Sequence, residues 1–224
     1  CKSEWLNERI RFKLPPLILI INIHPDNPDP RGIREAVKIL NRDGVIVIPT
    51  DTVYSFASVL GNSKGFDRIA RIKGLRPNKA HFSLLCSDLS DLAQYTRPLP
   101  NEVFKLMKRA LPGPFTFILE SGGNVPKLFR SSKKTIGIRV PDNNIARAIM
   151  LEIGKPLIVS SVHDEDHVLE YTTDPELIDE RQGHAVDAVI NGGYGELYAS
   201  TIIDCTSGIP EIIREGRGDV SGLI

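Results

Sequence analysis

Short β-branched runs, each closed by Gly, Pro or Asp, recur along this chain and constrain its fold more than any other feature. They are Gly44–Pro49, Phe82–Cys86, Phe115–Leu119, Thr135–Val140, Leu157–Ser161, Ala188–Ile190, Thr201–Asp204 and Glu211–Arg214. Runs this short, rich in Val and Ile, read as strands rather than buried helices. Helical segments alternate with several of them. Asp29-Pro30 opens Arg31–Asn41, where Ile33, Val37 and Leu40 fall on one face. Ser87 or Asp88 is placed to cap Leu89–Tyr95, and Asn101–Ala110 stops at Leu111-Pro112-Gly113. Asp142 is placed to cap Ile145–Ile153, which Gly154 ends, and Asp174-Pro175 opens Glu176–Arg181. This alternation predicts an α/β (α+β) single domain, with a twisted, mostly open mixed sheet flanked by helices. The pattern does not set the strand order.

Composition narrows the function classes. At 41% hydrophobic over 224 residues the chain buries a core, which excludes disordered and fibrous classes. The apolar run Leu17–Ile23 is too short to cross a membrane and, followed at once by His24-Pro25-Asp26, fits an edge strand. Residues 1–16 read as an amino-terminal extension outside the core, and 17–224 as the domain. Three cysteines far apart (Cys1, Cys86, Cys205) make neither a disulfide framework nor a paired metal motif, which fits a reducing cytoplasm. The net charge of zero hides an asymmetry. Residues 1–141 carry 23 Lys/Arg against 12 Asp/Glu, and residues 142–224 carry 5 against 16. A basic half of this kind suggests phosphate or nucleic acid.

The common catalytic fingerprints are missing. There is no GxxxxGK[ST], GxSxG or HExxH, and no HxE…PCxxC set. Gly192-Gly193-Tyr194-Gly195 lacks dinucleotide order and reads as a turn. His163 and His167 flank three carboxylates, a spacing shared by metal sites and, more plainly, by solvated acidic loops. Cys86 closes an apolar strand with no base nearby and reads as a buried, inert thiol.

What remains is a set of polar side chains at strand ends, where an α/β sheet presents its ligand. Pro49-Thr50-Asp51-Thr52-Val53-Tyr54 follows an apolar strand and delivers two hydroxyls and a carboxylate, a pattern it shares with an Asx turn. Arg68, Arg71, Lys73, Arg76 and Lys79 crowd into twelve residues, with Asp67 the one acid just before them. A solvated helix face interleaves Glu, so the segment reads as a phosphate-binding helix end and loop. Pro112-Gly113-Pro114 delivers Thr116 at the start of a strand. In Gly137-Ile138-Arg139-Val140, alternation puts Arg139 on the face opposite Ile136, Ile138 and Val140. Ser160-Ser161, Ser200-Thr201 and Arg214 sit at further strand ends. Hydroxyls and cations with no nucleophile and no acid–base pair bind and align anions. Catalysis by such a set is positioning and charge stabilisation, as in phosphoryl or nucleotidyl transfer.

In these residues and their order the chain resembles the YrdC-like threonylcarbamoyl-AMP synthases, most of all the YciO-type branch. The resemblance runs from about Ile23 to Val220 through PTDTVY, the Lys-Arg loop, PGPFT, IGIRVP, PLIVSS, STIID and IIREG. It implies a YrdC-like sheet with a basic concave face. It also implies condensation of L-threonine, bicarbonate and ATP to threonylcarbamoyl-AMP and pyrophosphate, towards the t6A base of tRNA, with Mg²⁺ accompanying ATP. Carried over, Thr50, Thr52, Tyr54, Arg139 and Ser200 hold L-threonine, with Arg139 on its carboxylate. Lys73, Arg76, Thr116, Ser161 and Arg214 hold ATP. No nucleophile, base or protein metal ligand is implied. The alternative within the family is a YciO-like protein that binds double-stranded RNA, tRNA or a nucleotide with little or no synthase activity. The chain departs from the family pattern in Lys73-Gly74-Leu75-Arg76, one residue longer than Lys-x-Arg, and in Ser161-Val162-His163, where Asn is usual. It also has Ser55 after Tyr54 in place of Gly, and Ala80 before His81.

Overall fold

The computed structural model describes residues 19–76, 82–162 and 170–223. In chain order the first strands are β1 (Ile20–Asn22), β2 (Ile46–Ile48), β3 (Ser55–Val59), β4 (Ser83–Leu85) and β5 (Phe115–Glu120). They are followed by β6 (Thr135–Arg139), β7 (Leu157–Ser161), β8 (Ala188–Asn191), β9 (Thr201–Asp204) and β10 (Glu211–Arg214). All belong to one mixed sheet in the order β1-β8-β2-β3-β7-β4-β6-β5-β9-β10. Four neighbouring pairs are parallel, β1/β8, β8/β2, β4/β6 and β5/β9, and the rest antiparallel. The helices are α1 (Pro30–Leu40), α2 (Ser63–Ile72), α3 (Leu92–Tyr95), α4 (Asn101–Ala110), α5 (Asn144–Ile153) and α6 (Pro175–Gln182). None among the described residues is long and apolar enough to cross a membrane.

Local chemistry accounts for the helix ends. Asp29 accepts the Gly32 amide at 2.7 Å with Pro30 in the first turn of α1. Asn62 does the same for α2 through Gly65, at 2.9 Å. The cap of α5 is Asn143 rather than the expected Asp142: its side chain accepts from Ala146, and Gly154, at φ 65°, ends the helix. The helix expected over Leu89–Tyr95 is broken, because Asp88 caps a 3₁₀ turn over Leu89–Asp91 before α3 begins.

Strand β3 is the element that the sequence pattern missed. All five of its residues are buried, so its two faces carry no polar–apolar contrast. It pairs antiparallel with β2 and β7 in the middle of the sheet.

The two faces of the sheet are covered unequally. On one face Phe66 of α2, Val103 of α4 and Ile178 of α6 join Phe56, Phe117, Ile136, Ile138, Ile158 and Ile203 in a single core. Phe66 meets Phe82 and Phe129 edge-on, at 4.6 and 5.2 Å between centroids. On the opposite face α1 and α5 pack over β1, β8, β2, β3 and β7, through Ile33, Val37, Ile145 and Ile149. That second core reaches β4 only at Leu85 and takes nothing from β6, β5 or β9. Among the described residues no helix covers that half of the sheet face.

Candidate functional site

The uncovered half-face carries the polar set. Because Ile136, Ile138 and Val140 point into the α4 core, Thr135, Gly137 and Arg139 emerge on the bare side, as alternation predicts. Phe115, Phe117 and Leu119 likewise turn inward on β5 and leave Thr116 and Ile118 outside. A cleft of about 120 Å³ lies there, lined by Thr52, Thr116, Arg139, Ser161, Ser200 and Arg214 among others. A second hollow of about 200 Å³ shares Ser83, Thr116 and Ile202 with it and extends to Phe129, Arg130, Ser131 and Thr135. Among the described residues that line the two, Arg130, Arg139 and Arg214 are charged and none is an acid.

Gly137 sets the depth of the floor. A Cβ at that position falls 2.9 Å from Ser83 Oγ and 3.2 Å from Thr116 Cγ2, so any side chain there intrudes on both hydroxyl-bearing neighbours.

Inside the cleft each polar group has an assigned direction. Thr116 Oγ1 and Ser200 Oγ share a hydrogen bond of 2.7 Å, and Arg214 Nη2 donates to the Ser200 carbonyl at 3.0 Å. Arg139 Nη2 donates to Asp51 Oδ1 at 2.8 Å, in an ion pair whose side chains are 7% and 5% exposed. Burial pulls the Arg139 pKa down; Asp51 pushes it back up, and Arg214 lowers it further. Lys73 Nζ donates to the Ser161 carbonyl at 3.1 Å, which brings the end of α2 to the rim.

Six of the ten residues picked out in the sequence thus line one cleft, and four do not. Thr50 is buried in its own turn, where its hydroxyl bonds Thr52 Oγ1 at 3.1 Å and donates to the Val53 carbonyl at 2.9 Å. Tyr54, expected on the wall, points into the opposite core. Its hydroxyl donates to the Gly193 carbonyl at 2.6 Å and accepts the Gly192 amide at 3.2 Å, so it anchors the glycine turn. Burial raises this phenol to about 12. Lys73 reaches the rim through Ser161, whereas Arg76 is exposed and is not among the lining residues.

The basic run 68–79 is not one anion site. Arg68 is engaged on another side, donating to the Ala185 carbonyl at 2.8 Å and pairing with Asp187. Asp187 in turn accepts the Val45 amide at 2.8 Å. Lys79, Ala80, His81, His163, the acidic loop 163–167 and residues 1–16 lie outside the described residues. Cys86 is buried, and burial pushes its thiol to about 12.

Sequence reasoning passed over Asp51 as a partner, and also Ser83 and Arg217. Arg217 Nη1 donates to the Asp51 carbonyl at 2.5 Å while Nη2 meets Glu196 at 2.8 Å. A carboxylate between two threonines was the visible signal for Asp51. Nothing local in the sequence links Arg217 to it, since 166 residues separate the two.

A mixed open sheet with hydroxyls and arginines gathered on its bare half defines an α/β protein whose site suits anions. Residues 38–216 match the family described as Telomere recombination (Sua5_yciO_yrdC), and the chain belongs to that family. It is 42% identical over 204 residues to YciO of Escherichia coli K12, an uncharacterized protein, covering 90% of this chain and 97% of that one. The crystal structure of E. coli YciO superimposes with a TM-score of 0.85 over 92% of this chain and 98% of the other, at 39% identity. A threonylcarbamoyl-AMP synthase of Bacillus subtilis is 30% identical over 190 residues, 84% of this chain but 54% of that protein. P. abyssi Sua5, solved with L-threonine, shares the fold at a TM-score of 0.80 and 24% identity, over 88% of this chain and 57% of its own.

Proposed function

We propose that the cleft forms threonylcarbamoyl-AMP from L-threonine, bicarbonate and ATP, releasing pyrophosphate. The observation that carries this reading is the meeting of Thr52, Thr116, Arg139, Ser161, Ser200 and Arg214 in one cleft, with no acid among the described residues that line it. The likeness to the B. subtilis synthase supports it, as does the shared fold with a Sua5 solved with L-threonine. In this reading L-threonine and bicarbonate combine to an N-carboxylated amino acid with loss of water. An oxygen of its N-carboxylate (carbamate) group attacks the α-phosphorus of ATP, and the bond to pyrophosphate breaks. Arg139 holds the amino-acid carboxylate. Ser200 sits by the amino acid. Arg214, Lys73 and the Thr116 hydroxyl offset the charge that builds on the departing pyrophosphate, and no side chain forms a covalent intermediate.

Magnesium belongs to this reading as part of the nucleotide. Among the described residues no group of three or more His, Cys, Asp or Glu is placed to hold an ion. Asp51, the carboxylate that meets the cleft residue Arg139, is engaged by it. This donor set does not fit a protein-held Mg²⁺, so no step is routed through one.

The deciding experiment is pyrophosphate release measured with L-threonine and bicarbonate added singly and together. Release that needs both, and that Arg139→Ala abolishes, supports the synthase. Release indifferent to threonine rejects it. A second reading, a nucleotide- or RNA-binding protein of the YciO type, draws on the placement of Arg76 outside the cleft lining and on the 42% identity to YciO. It predicts RNA affinity that falls steeply with salt and ignores threonine.

A further inference from the structure

The Asp51–Arg139 pair is built unlike a stabilising ion pair. Both side chains are more than nine-tenths buried, yet a single hydrogen bond joins them. Arg139 Nε and Asp51 Oδ2 are buried with no hydrogen-bond partner among the described residues. Desolvating two ions is costly, and attraction offsets this only when the remaining donors and acceptors are met. Here they are not met, so stability alone does not account for the pair.

The surroundings point to orientation instead. Arg139 lines the cleft, whereas Asp51 is not among its lining residues and therefore works through Arg139. Asp51 is itself anchored, because its carbonyl accepts Arg217 Nη1 at 2.5 Å and Arg217 is fixed by Glu196. Two arginines share this cleft, and the second, Arg214, is also tethered, through the Ser200 carbonyl. Without a counter-ion, Arg139 and Arg214 repel each other across a small polar space.

We propose that Asp51 is a positioning residue that grips Arg139 by Nη2 and turns another edge of the guanidinium to the bound anion. Arg139 then meets a ligand carboxylate with part of its fork only. The ligand's other oxygen falls to the Ser200 hydroxyl, which lines the same cleft. Asp51 thereby sets which orientation of a carboxylate the cleft accepts. The inference rests on the cleft binding an anionic ligand, which in the reading above is L-threonine.

The test uses the full chain and the near-isosteric Asp51→Asn, with Asp51→Ala as a second variant. Arginine side-chain ¹⁵N NMR, with Arg139 assigned through Arg139→Lys, reports guanidinium rotation with no ligand added. The expected result is slow rotation in the parent chain and averaged signals in Asp51→Asn. In steady-state assays the KM for L-threonine rises about tenfold or more, with the KM for ATP unchanged. The double variant Asp51→Asn/Arg139→Lys is no worse than Arg139→Lys alone, because Asp51 acts only through Arg139. An Arg139 signal as restrained in Asp51→Asn as in the parent overturns the proposal, and so do additive effects of the two substitutions. A parent chain that ignores threonine sinks the synthase reading, and the NMR result then decides the positioning role by itself. Should Asp51→Ala not fold, Asp51→Asn, which removes the charge and keeps the shape, decides.

Discussion

Thr116 and Ser200, 84 residues apart in sequence, share a 2.7 Å hydroxyl–hydroxyl hydrogen bond on the floor of the cleft. Thr116 lies on β5 and Ser200 immediately precedes β9, its parallel neighbour, with Phe115 opposite Thr201 and Thr116 opposite Ile202 in register. The bond fixes both hydroxyls ahead of any ligand. Thr116→Val removes one partner and leaves the buried Ser200 hydroxyl short of a bond, at a cost of about 1 kcal/mol. Urea unfolding is expected to show that modest loss, while the KM for the nucleotide rises severalfold in the pyrophosphate assay.

Arg139 gives a larger stability effect. Arg139→Met strands the Asp51 carboxylate in a dry site and is expected to cost about 3–5 kcal/mol. The double variant Asp51→Leu/Arg139→Met removes both charges and is expected to recover most of that loss without recovering activity. Chemical denaturation of the two variants measures it, and a double variant as unstable as the single one counts against a buried-charge penalty.

How much of this was legible follows from the range of each signal. The facing of Arg139 was read correctly, because a period of two along Thr135–Val140 decides it locally. The partner of Arg139 was not, because Asp51 arrives from 88 residues away on a turn whose direction no spacing encodes. Arg68 was grouped with Lys73 as one phosphate-binding run, yet its partner Asp187 lies 119 residues on and draws it to another side. Tyr54 sits in a polar motif and looked like a wall residue. Its ring is buried entirely in the core, and its hydroxyl holds Gly192 and Gly193, more than 130 residues away. Strand β3 lacked any contrast between its faces, so its placement depended on neighbours that the linear pattern does not name.

Tyr54 also sets an alkaline limit on stability. Its phenol is raised from 10.0 to about 12, so its contribution is complete below pH 10 and is lost as pH rises through about 12. Tyr54→Phe removes two hydrogen bonds to the Gly192–Gly193 turn, costs about 1–2 kcal/mol near neutral pH, and flattens the decline above pH 10. Urea midpoints between pH 7 and pH 11 give the comparison, together with faster amide exchange at Gly192 in the variant.

The buried thiols give a chemical readout of the same core. Burial raises Cys86 from 9.0 to about 12 and Cys205 to about 11, so both are protonated in the folded chain at neutral pH. Iodoacetamide at pH 8 is expected to leave both unmodified in native protein and to label both in guanidinium chloride, as mass spectrometry of the peptides will show. Prompt labelling of Cys86 in the native state means that the α4 side of the sheet opens far more often than its packing allows.

That no third layer covers β4, β6, β5 and β9 among the described residues has a consequence for how such a chain changes over time. The side chains that those strands turn to the bare side owe little to apolar cover, so exchanging one hydroxyl or cation there for another leaves the core on the other face intact. The folding signal and the chemical vocabulary occupy separate territories of a single β-sheet. A common scaffold is in that way free to drift between substrates, and overall shape by itself is a poor guide to what each descendant grips.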